Sequence, residues 1–387
     1  MSNMEMEDVY VVLPAGGCGL RMEIDTPKQY CEVLNRPLIL FTIQSFHRFT
    51  WIKCIVVVVA DSYMEYMEKL LIKYGLTKVK LVAGSQTRHR SIYNGIKALE
   101  NICKPENVVI VHDAVRMFTD EETIIQVAMA AKEYKASGVY RSLVSTVIAP
   151  DSEGFLEESL DRNKYRASEM PQGFKYSVIL SAYQKATDYD FDYGTECLLL
   201  ASKYSAVKAK LIEGSSNLWK VTHKKDLYAA EGILKESDIG VCLQCTEDQL
   251  QNLLTVKLKK YNFKIQTEEN RTEPAVFINV LDYNENACDK CVQCTEQLLK
   301  QCNTKQLRHN LLDYVLMFVV KILEESEYMS VFKLIQHLKK MVEREEILIY
   351  CVVYQDGNQL EELSDLVTSV VWNRDRMITG QALICAK

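Results

Sequence analysis

Val9-Tyr-Val-Val-Leu-Pro-Ala-Gly-Gly-Cys-Gly-Leu-Arg-Met22, followed by Thr26-Pro-Lys-Gln29, is the stretch from which the rest of the chain is read. Val9 to Leu13 is a short apolar run rich in β-branched residues, which predicts a strand buried on both faces. Gly16, Gly17 and Gly19 follow it at once. Glycine lets the backbone take left-handed angles and lets a ligand come close to the main chain. A buried strand that passes through a glycine-rich turn into a helix is the general form of an anion-binding loop, because successive backbone N–H groups aim at one place. Arg21 and Lys28 add fixed positive charge just beyond the turn. The spacing excludes a Gly-x-x-x-x-Gly-Lys-Ser/Thr loop and a Gly-x-Gly-x-x-Gly dinucleotide fingerprint.

The chain has 387 residues, 48% hydrophobic and 25% charged. Those values suit a soluble globular protein with room for two domains. The longest apolar candidate, Tyr314 to Val320, is far too short to span a bilayer, so no membrane association is expected. Met1 to Asp8 is acidic and polar, unlike a signal peptide, and a cytosolic protein is expected. The 13 cysteines are odd in number and scattered, which favours reduced thiols over a disulfide framework. The net charge is −6, and residues 237–387 carry most of it, with 17 Lys/Arg against 22 Asp/Glu. A nucleic-acid surface carries a basic excess, so no nucleic-acid partner is expected.

Strand and helix signals alternate through residues 1–236. Strands are predicted at Val9 to Leu13, Cys54 to Ala60, Val79 to Ala83, Val108 to His112, Gly138 to Leu143 and Val144 to Ile148. Helices are predicted at Leu38 to Arg48, Met64 to Tyr74, Ser91 to Leu99 and Glu121 to Tyr134. Alternation with continuously apolar strands implies an α/β fold with a mostly parallel sheet covered on both faces. Ligands of such sheets bind at the carboxyl ends of the strands. A fresh α/β cycle over 237–387 predicts a second, smaller α/β domain of unassigned role. Cys288, Cys291 and Cys294 invite a zinc reading, but a structural site needs four ligands. Only Cys302 is near, and thiols along a helix fit the spacing equally.

Three further motifs fall at strand ends. Ala83-Gly-Ser-Gln-Thr-Arg-His-Arg-Ser91 follows the Val79 strand. Val108-Val-Ile-Val-His-Asp-Ala-Val-Arg116 is a buried strand ending in Asp113, with His112 read as structural. An Asp just past a strand end suits Mg²⁺, which takes hard oxygens from one or two carboxylates, phosphate and water. Asn217-Leu-Trp-Lys-Val-Thr222 precedes a helix. In order and spacing, the four motifs resemble those of the sugar nucleotidyltransferases, and within them the methylerythritol 4-phosphate cytidylyltransferase family.

That resemblance implies a Rossmann-like nucleotidyltransferase domain over 1–236, with CTP as substrate and Mg²⁺ as cofactor. It implies that Pro14, Ala15, Gly16, Gly17 and Gly19 cradle the triphosphate, and that Gly84, Thr87, Arg88 and Ser91 close over the base. Asp113 is expected to contact the nucleotide and bind the metal. Arg21, Lys28 and Lys220 are the expected catalytic cations. Residues 142–171 correspond to a protruding β-arm that places Thr146 and Arg162 in a partner subunit's acceptor-phosphate pocket, so a homodimer is expected. Arg116 is expected on the acceptor side. The chain departs from the bacterial pattern at Met117, at Met170 before Pro-Gln, and in the acidic, aromatic Asp188-Tyr-Asp-Phe-Asp-Tyr-Gly-Thr-Glu196, where the acceptor is expected. Arg166-Ala-Ser-Glu-Met-Pro-Gln172 and the C-terminal domain resemble the animal branch, the isoprenoid synthase domain-containing D-ribitol-5-phosphate cytidylyltransferases. That branch implies a polyol phosphate acceptor, D-ribitol 5-phosphate, and CDP-ribitol made for the O-mannosyl glycan of α-dystroglycan. Methylerythritol 4-phosphate as acceptor, or a catalytically silent CTP-binding scaffold, are the alternatives.

Overall fold

The computed structural model describes residues 8–17, 26–215, 218–236, 239–266, 275–303, 313–342, 347–355 and 359–385. Gly19 and Arg21 lie outside the described residues. The chain divides into two compact units, Met1–Glu32 with Arg36–Leu227, and Val33–Asn35 with Tyr228–Lys387.

The first unit is built on strands β1 (Val9–Ala15), β2 (Ile52–Val59), β3 (Val79–Ala83), β4 (Val108–Val111) and β5 (Ala136–Ser142), the short strands β6 (Ile148–Pro150) and β7 (Leu156–Ser159), and then β8 (Arg166–Lys175) and β9 (Lys210–Glu213). Seven of them form one sheet in the order β9-β5-β8-β4-β1-β2-β3. All run parallel except β8, which is antiparallel to both β4 and β5. Helices α1 (Leu38–His47), α2 (Met64–Lys73), α3 (Arg88–Lys97), α4 (Glu121–Tyr134), α5 (Tyr176–Lys185), α6 (Asp188–Tyr193) and α7 (Cys197–Ser205) flank it.

The strand period of two sends Val9, Val11 and Leu13 to one face and Tyr10 and Val12 to the other. The first set packs with Val57 and Ile110 against Ile39, Phe46 and Met67 of α1 and α2 and Ile124 of α4. The second packs with Val58 and Val111 against Ile92 of α3, Ile179 of α5 and Leu200 of α7. A core on both faces is why these strands read as unbroken apolar runs. Helix α3 lies against the sheet at Gly95, where an added Cβ would stand 2.6 Å from Val12 Cγ1 and 2.9 Å from Val58 Cγ2. That close seat fixes the start of α3 beside the carboxyl ends of β1 and β2.

Strands β6 and β7 pair only with each other. The strand expected at Val144 to Ile148 begins only at Ile148. Val144 is 88% exposed and has no sheet neighbour to reward its β-branched side chain. Arg166 to Lys175, read from the sequence as a motif, is a full strand.

The division between the units falls within α8 (Lys224–Glu236), whose end is the expected boundary at 236. The second unit holds β10 (Ile239–Gln244), β11 (Phe263–Gln266), β12 (Val276–Asp282), β13 (Tyr314–Lys321), β14 (Ile347–Tyr354) and β15 (Ala382–Ile384). They form a parallel sheet in the order β11-β10-β12-β13-β14-β15. Helices α9 (Asp248–Lys260), α10 (Glu285–Asn303), α11 (Tyr328–Met341) and α12 (Leu360–Asn373) complete it. The apolar run at Tyr314 is the buried strand β13. Cys288, Cys291 and Cys294 all lie on α10, and Cys291 is buried in the core. Among the described residues, no group of three or more His, Cys, Asp or Glu could hold a metal ion, and no helix is long and apolar enough to cross a membrane.

Candidate active site

An open cleft lies at the carboxyl edge of the first sheet. Pro14 to Gly17, at and just after the end of β1, form one wall. Gln29 holds that wall in shape: its buried Nε2 donates to the carbonyls of Ala15 at 2.7 Å and Gly17 at 2.9 Å. The same short turn, Lys28–Tyr30, brings Lys28 into the cleft.

The opposite wall is the loop from β3 into α3. The Gly84 N–H donates to the Val59 carbonyl at 2.7 Å, and a Cβ there would stand 3.1 Å from that oxygen. Thr87 caps α3 by accepting from the Arg90 N–H, and its hydroxyl donates to the Phe191 carbonyl at 2.6 Å. Ser91 Oγ accepts from the Ser85 N–H at 3.0 Å and so closes the loop. Ser85, Gln86, Thr87, Arg88 and Ser91 line the cleft, putting the positive end of the α3 dipole at its side.

The acidic stretch at 188–196 supports this loop from behind. Arg90 pairs with Asp188 at 2.8 Å and Asp192 at 3.0 Å. Asp190 is taken up by Thr187, Lys203 and Tyr204, which hold its carboxyl below the usual carboxylate range. These three acids dock α6 against α3 and α7 and do not line the cleft.

Asp113 stands on the floor, just past β4, and three cations meet it. Arg88 Nη2 lies 3.1 Å from Oδ1, while Arg116 Nε at 3.1 Å and Lys220 Nζ at 3.0 Å share Oδ2. Burial opposes ionisation, but Arg88, Lys220 and Arg116 outweigh it and hold the carboxyl well below its ordinary range. Arg88 is likewise kept charged: burial works against the cation, and Asp113 more than offsets it. Arg88 Nη1 is buried without a hydrogen-bond partner of ordinary geometry. Arg116 is itself buried, and Nη1 donates to a Glu169 carboxylate oxygen and, at 2.6 Å, to the Leu218 carbonyl. Glu169 also receives Arg141, through Nε at 2.9 Å and Nη2 at 2.5 Å.

His112 is fully buried, with Nε2 3.0 Å from the Arg116 carbonyl and 3.1 Å from Thr119 Oγ1. Burial pushes it down to about 4, so it is neutral and staples the turn that carries Asp113. His89 is held down to about 4 by burial and by Arg88; its Nδ1 meets the Tyr183 hydroxyl at 2.7 Å.

Of the residues expected from the sequence, the cleft brings together Pro14, Ala15, Gly16, Gly17, Lys28, Thr87, Arg88, Ser91, Asp113 and Lys220. Gly84 supports its wall, and Arg116 lies beneath its floor. Thr146 and Arg162 are exposed on the arm and do not line it; Arg162 Nη1 donates to the Val144 carbonyl at 2.9 Å. Sequence reasoning missed what Gln29, Glu169 and Arg141 do. Gln29 and Glu169 sat inside quoted motifs, but nothing local reveals a carboxylate whose partner is 53 residues back.

The donor set fits a Mg²⁺ ion held jointly with phosphate. Asp113 offers one hard carboxylate kept ionised, and Mg²⁺ is content with one or two alongside phosphate and water.

A family model described as IspD, 2-C-methyl-D-erythritol 4-phosphate cytidylyltransferase, matches residues 9–236. A Xenopus tropicalis protein named D-ribitol-5-phosphate cytidylyltransferase is 41% identical, the match covering 97% of this chain and 97% of that protein. A Homo sapiens protein of the same name is 41% identical over 97% of this chain and 90% of its own. The crystal structure of 4-diphosphocytidyl-2C-methyl-D-erythritol synthase from Anaerococcus prevotii aligns with a TM-score of 0.52 at 25% identity, over 60% of this chain and 98% of that one.

Proposed function

Because this chain belongs to the 2-C-methyl-D-erythritol 4-phosphate cytidylyltransferase (IspD) family, we propose that it transfers CMP from CTP to D-ribitol 5-phosphate, giving CDP-ribitol and pyrophosphate. One observation carries the choice of acceptor: 41% identity to proteins named for that reaction runs through both units, over 97% of the chain. The likeness to the methylerythritol enzyme is lower in identity and covers 60%.

An acceptor phosphate oxygen attacks the α-phosphorus of CTP in line. The new P–O bond forms as the bond to the bridging oxygen breaks, and pyrophosphate leaves with the electron pair. The attacking phosphate is ionised near neutral pH, so no general base is needed. Catalysis is then positioning and electrostatic stabilisation. Backbone N–H groups at Ala15 to Gly17 receive the triphosphate, and Gly19 and Arg21 are proposed to act on it as well. Lys28 and Lys220 neutralise charge at the reacting phosphate, and Arg88, which lines the same cleft, adds a further positive charge. Asp113 would hold a Mg²⁺ ion jointly with phosphate oxygens, and the ion would supply charge neutralisation of the triphosphate.

In the same reading two copies associate through the arm, and Thr146 and Arg162 reach the partner's acceptor phosphate. Val144, Phe155 and Leu156, which are 88, 67 and 66% exposed, supply apolar surface that association would bury. A cytosolic location accords with eleven free cysteines among the described residues. There CDP-ribitol would serve protein O-mannosyl glycan synthesis.

The test is pyrophosphate release with Mg²⁺ and CTP, comparing ribitol 5-phosphate with methylerythritol 4-phosphate. Strong preference for ribitol 5-phosphate is expected. Preference for methylerythritol 4-phosphate, or CTP binding with neither acceptor used, would overturn the assignment.

A further inference from the structure

We propose that Glu169 is a positioning residue that sets Lys220 against the reacting phosphate, acting through Arg116. This rests on the reading above, in which Lys220 meets the phosphates.

Lys220 sits on an irregular segment between β9 and α8, with no helix or strand of its own to aim it. Beside the Phe118–Trp219 ring contact and the buried side chains of Leu218 and Val221, two hydrogen bonds near it tie that segment to the floor. One is the backbone bond from the Val221 N–H to the Val115 carbonyl at 3.1 Å. The other is Arg116 Nη1 on the Leu218 carbonyl at 2.6 Å, two residues before Lys220. Arg116 therefore holds two of the groups that set the lysine's position: Leu218 on its own segment, and Asp113 Oδ2, the oxygen that Lys220 Nζ also meets.

A guanidinium can aim in two directions only if it is itself fixed. Glu169 fixes it. Both carboxylates around Arg116 are under 10% exposed, and the Glu169 side chain is 7% exposed. Its Oε2 takes Arg116 and its Oε1 takes Arg141, so each oxygen is committed to one arginine. Arg141 is the penultimate residue of β5, and Glu169 lies on β8, the strand that leads out of the arm. The backbones of the nucleotide walls are held by other contacts, although Arg88 of the base loop meets Asp113 at Oδ1. Gln29 sets the glycine loop and Ser91 sets the base loop, and neither bonds to Glu169 or Arg116.

Glu169→Ala removes the fixed carboxylate from Arg116 Nη1, which is left with the Leu218 carbonyl alone, and lets the Lys220 segment drift. A misplacement on the order of 1 Å at a reacting group costs up to about 10²-fold in rate. We expect kcat to fall about 10- to 100-fold, with the KM for CTP within about two-fold because the nucleotide walls are intact. A structural defect would lower kcat in any background, so the deciding measurement is a double-mutant cycle with Lys220→Ala. In that background Glu169→Ala is expected to cost less than about two-fold; a full, additive loss would overturn the proposal. If Glu169→Ala does not fold, Glu169→Gln, which keeps the volume but offers one acceptor for two arginines, enters the same cycle under the same criterion.

A second readout needs no turnover. The rate at which an amine-directed reagent modifies Lys220 in the full chain, followed by mass spectrometry, is expected to rise several-fold in Glu169→Ala as the Asp113 pairing loosens. An unchanged labelling rate would overturn the proposal. Wild-type turnover tests the reaction itself, so failure of that reading and failure of the Glu169 role give different results.

Discussion

Lowering the pH from 7 to 5 should destabilise the first unit through two buried imidazoles. His89 and His112 both have folded-state values of about 4 against an ordinary 6.5. Because the folded value is depressed, the unfolded chain binds more protons in the interval between. The stabilisation is complete above 6.5 and is lost as pH falls towards 4. Each histidine then loses about 2 kcal/mol between pH 7 and pH 5, or about 4 kcal/mol together. That is a large part of the roughly 5–15 kcal/mol typical of a folded domain. The geometry gives the reason. His112 Nε2 faces the Arg116 carbonyl, while Nδ1 is buried without a partner. A second proton would sit on Nδ1 with nothing to accept it. Hydrogen exchange read on peptides from β4 and α3 isolates this unit from the other. After correction for intrinsic rates, protection should fall by roughly two to three powers of ten. In His112→Asn the pH-dependent part of the loss should shrink to about half. Protection unchanged from pH 7 to 5, or an undiminished loss in His112→Asn, would refute the reasoning. Asp113 plays no part here, since its folded value lies well below 3.8 and its contribution is lost only at lower pH.

Lys28→Ala and Lys220→Ala should each lower kcat for pyrophosphate release by at least about 10²-fold, the scale for removing a group used mainly in the transition state; near-normal turnover in either would remove it from the mechanism. Arg162→Ala should raise the KM for the polyol phosphate more than that for CTP, and equal rises would argue against its acceptor role. Gln29→Ala leaves the Ala15 and Gly17 carbonyls without their buried donor, so it should cost about 1–3 kcal/mol in unfolding free energy and raise the KM for CTP; an unchanged KM would mean the glycine loop holds its shape unaided.

The sheet and most of the cleft were legible because their signals are local. Val9 to Leu13 and Val108 to Val111 are apolar at every position, which only a strand covered on both faces demands. Glycines and charges placed right after such strands mark the carboxyl edge. What stayed hidden depended on long-range pairing. Tyr314 to Lys321 reads as an apolar run whether it is a central strand or not, and Arg166 to Lys175 mixes polar and apolar residues because its first half leaves the core. The resemblance placed the acceptor near the acids at 188–196, where Arg90, Lys203 and Tyr204 take up Asp188, Asp190 and Asp192 as ties between helices. Charge alone does not say whether a carboxylate meets a ligand or a neighbour. Arg116 posed the same difficulty: its motif advertised a cation, and only the fold reveals that Asp113, Glu169 and Leu218 occupy it.

Strand β8 gives the molecule a freedom that a parallel strand would not. Parallel neighbours need a crossover of a dozen residues or more, usually a helix, with its length set by the layer it spans. Because β8 runs antiparallel to β5, the two leave the sheet together as a ribbon, with Arg166 opposite Ser142, and the arm is simply its far end. Asp113 is anchored elsewhere, by β4 at the centre of the sheet. Residues added in matched pairs to the two sides of the ribbon preserve which face each side chain occupies. Descent with insertion or trimming can thus remodel the arm, and whatever it touches, in steps of two residues per side while the catalytic floor stays where it is.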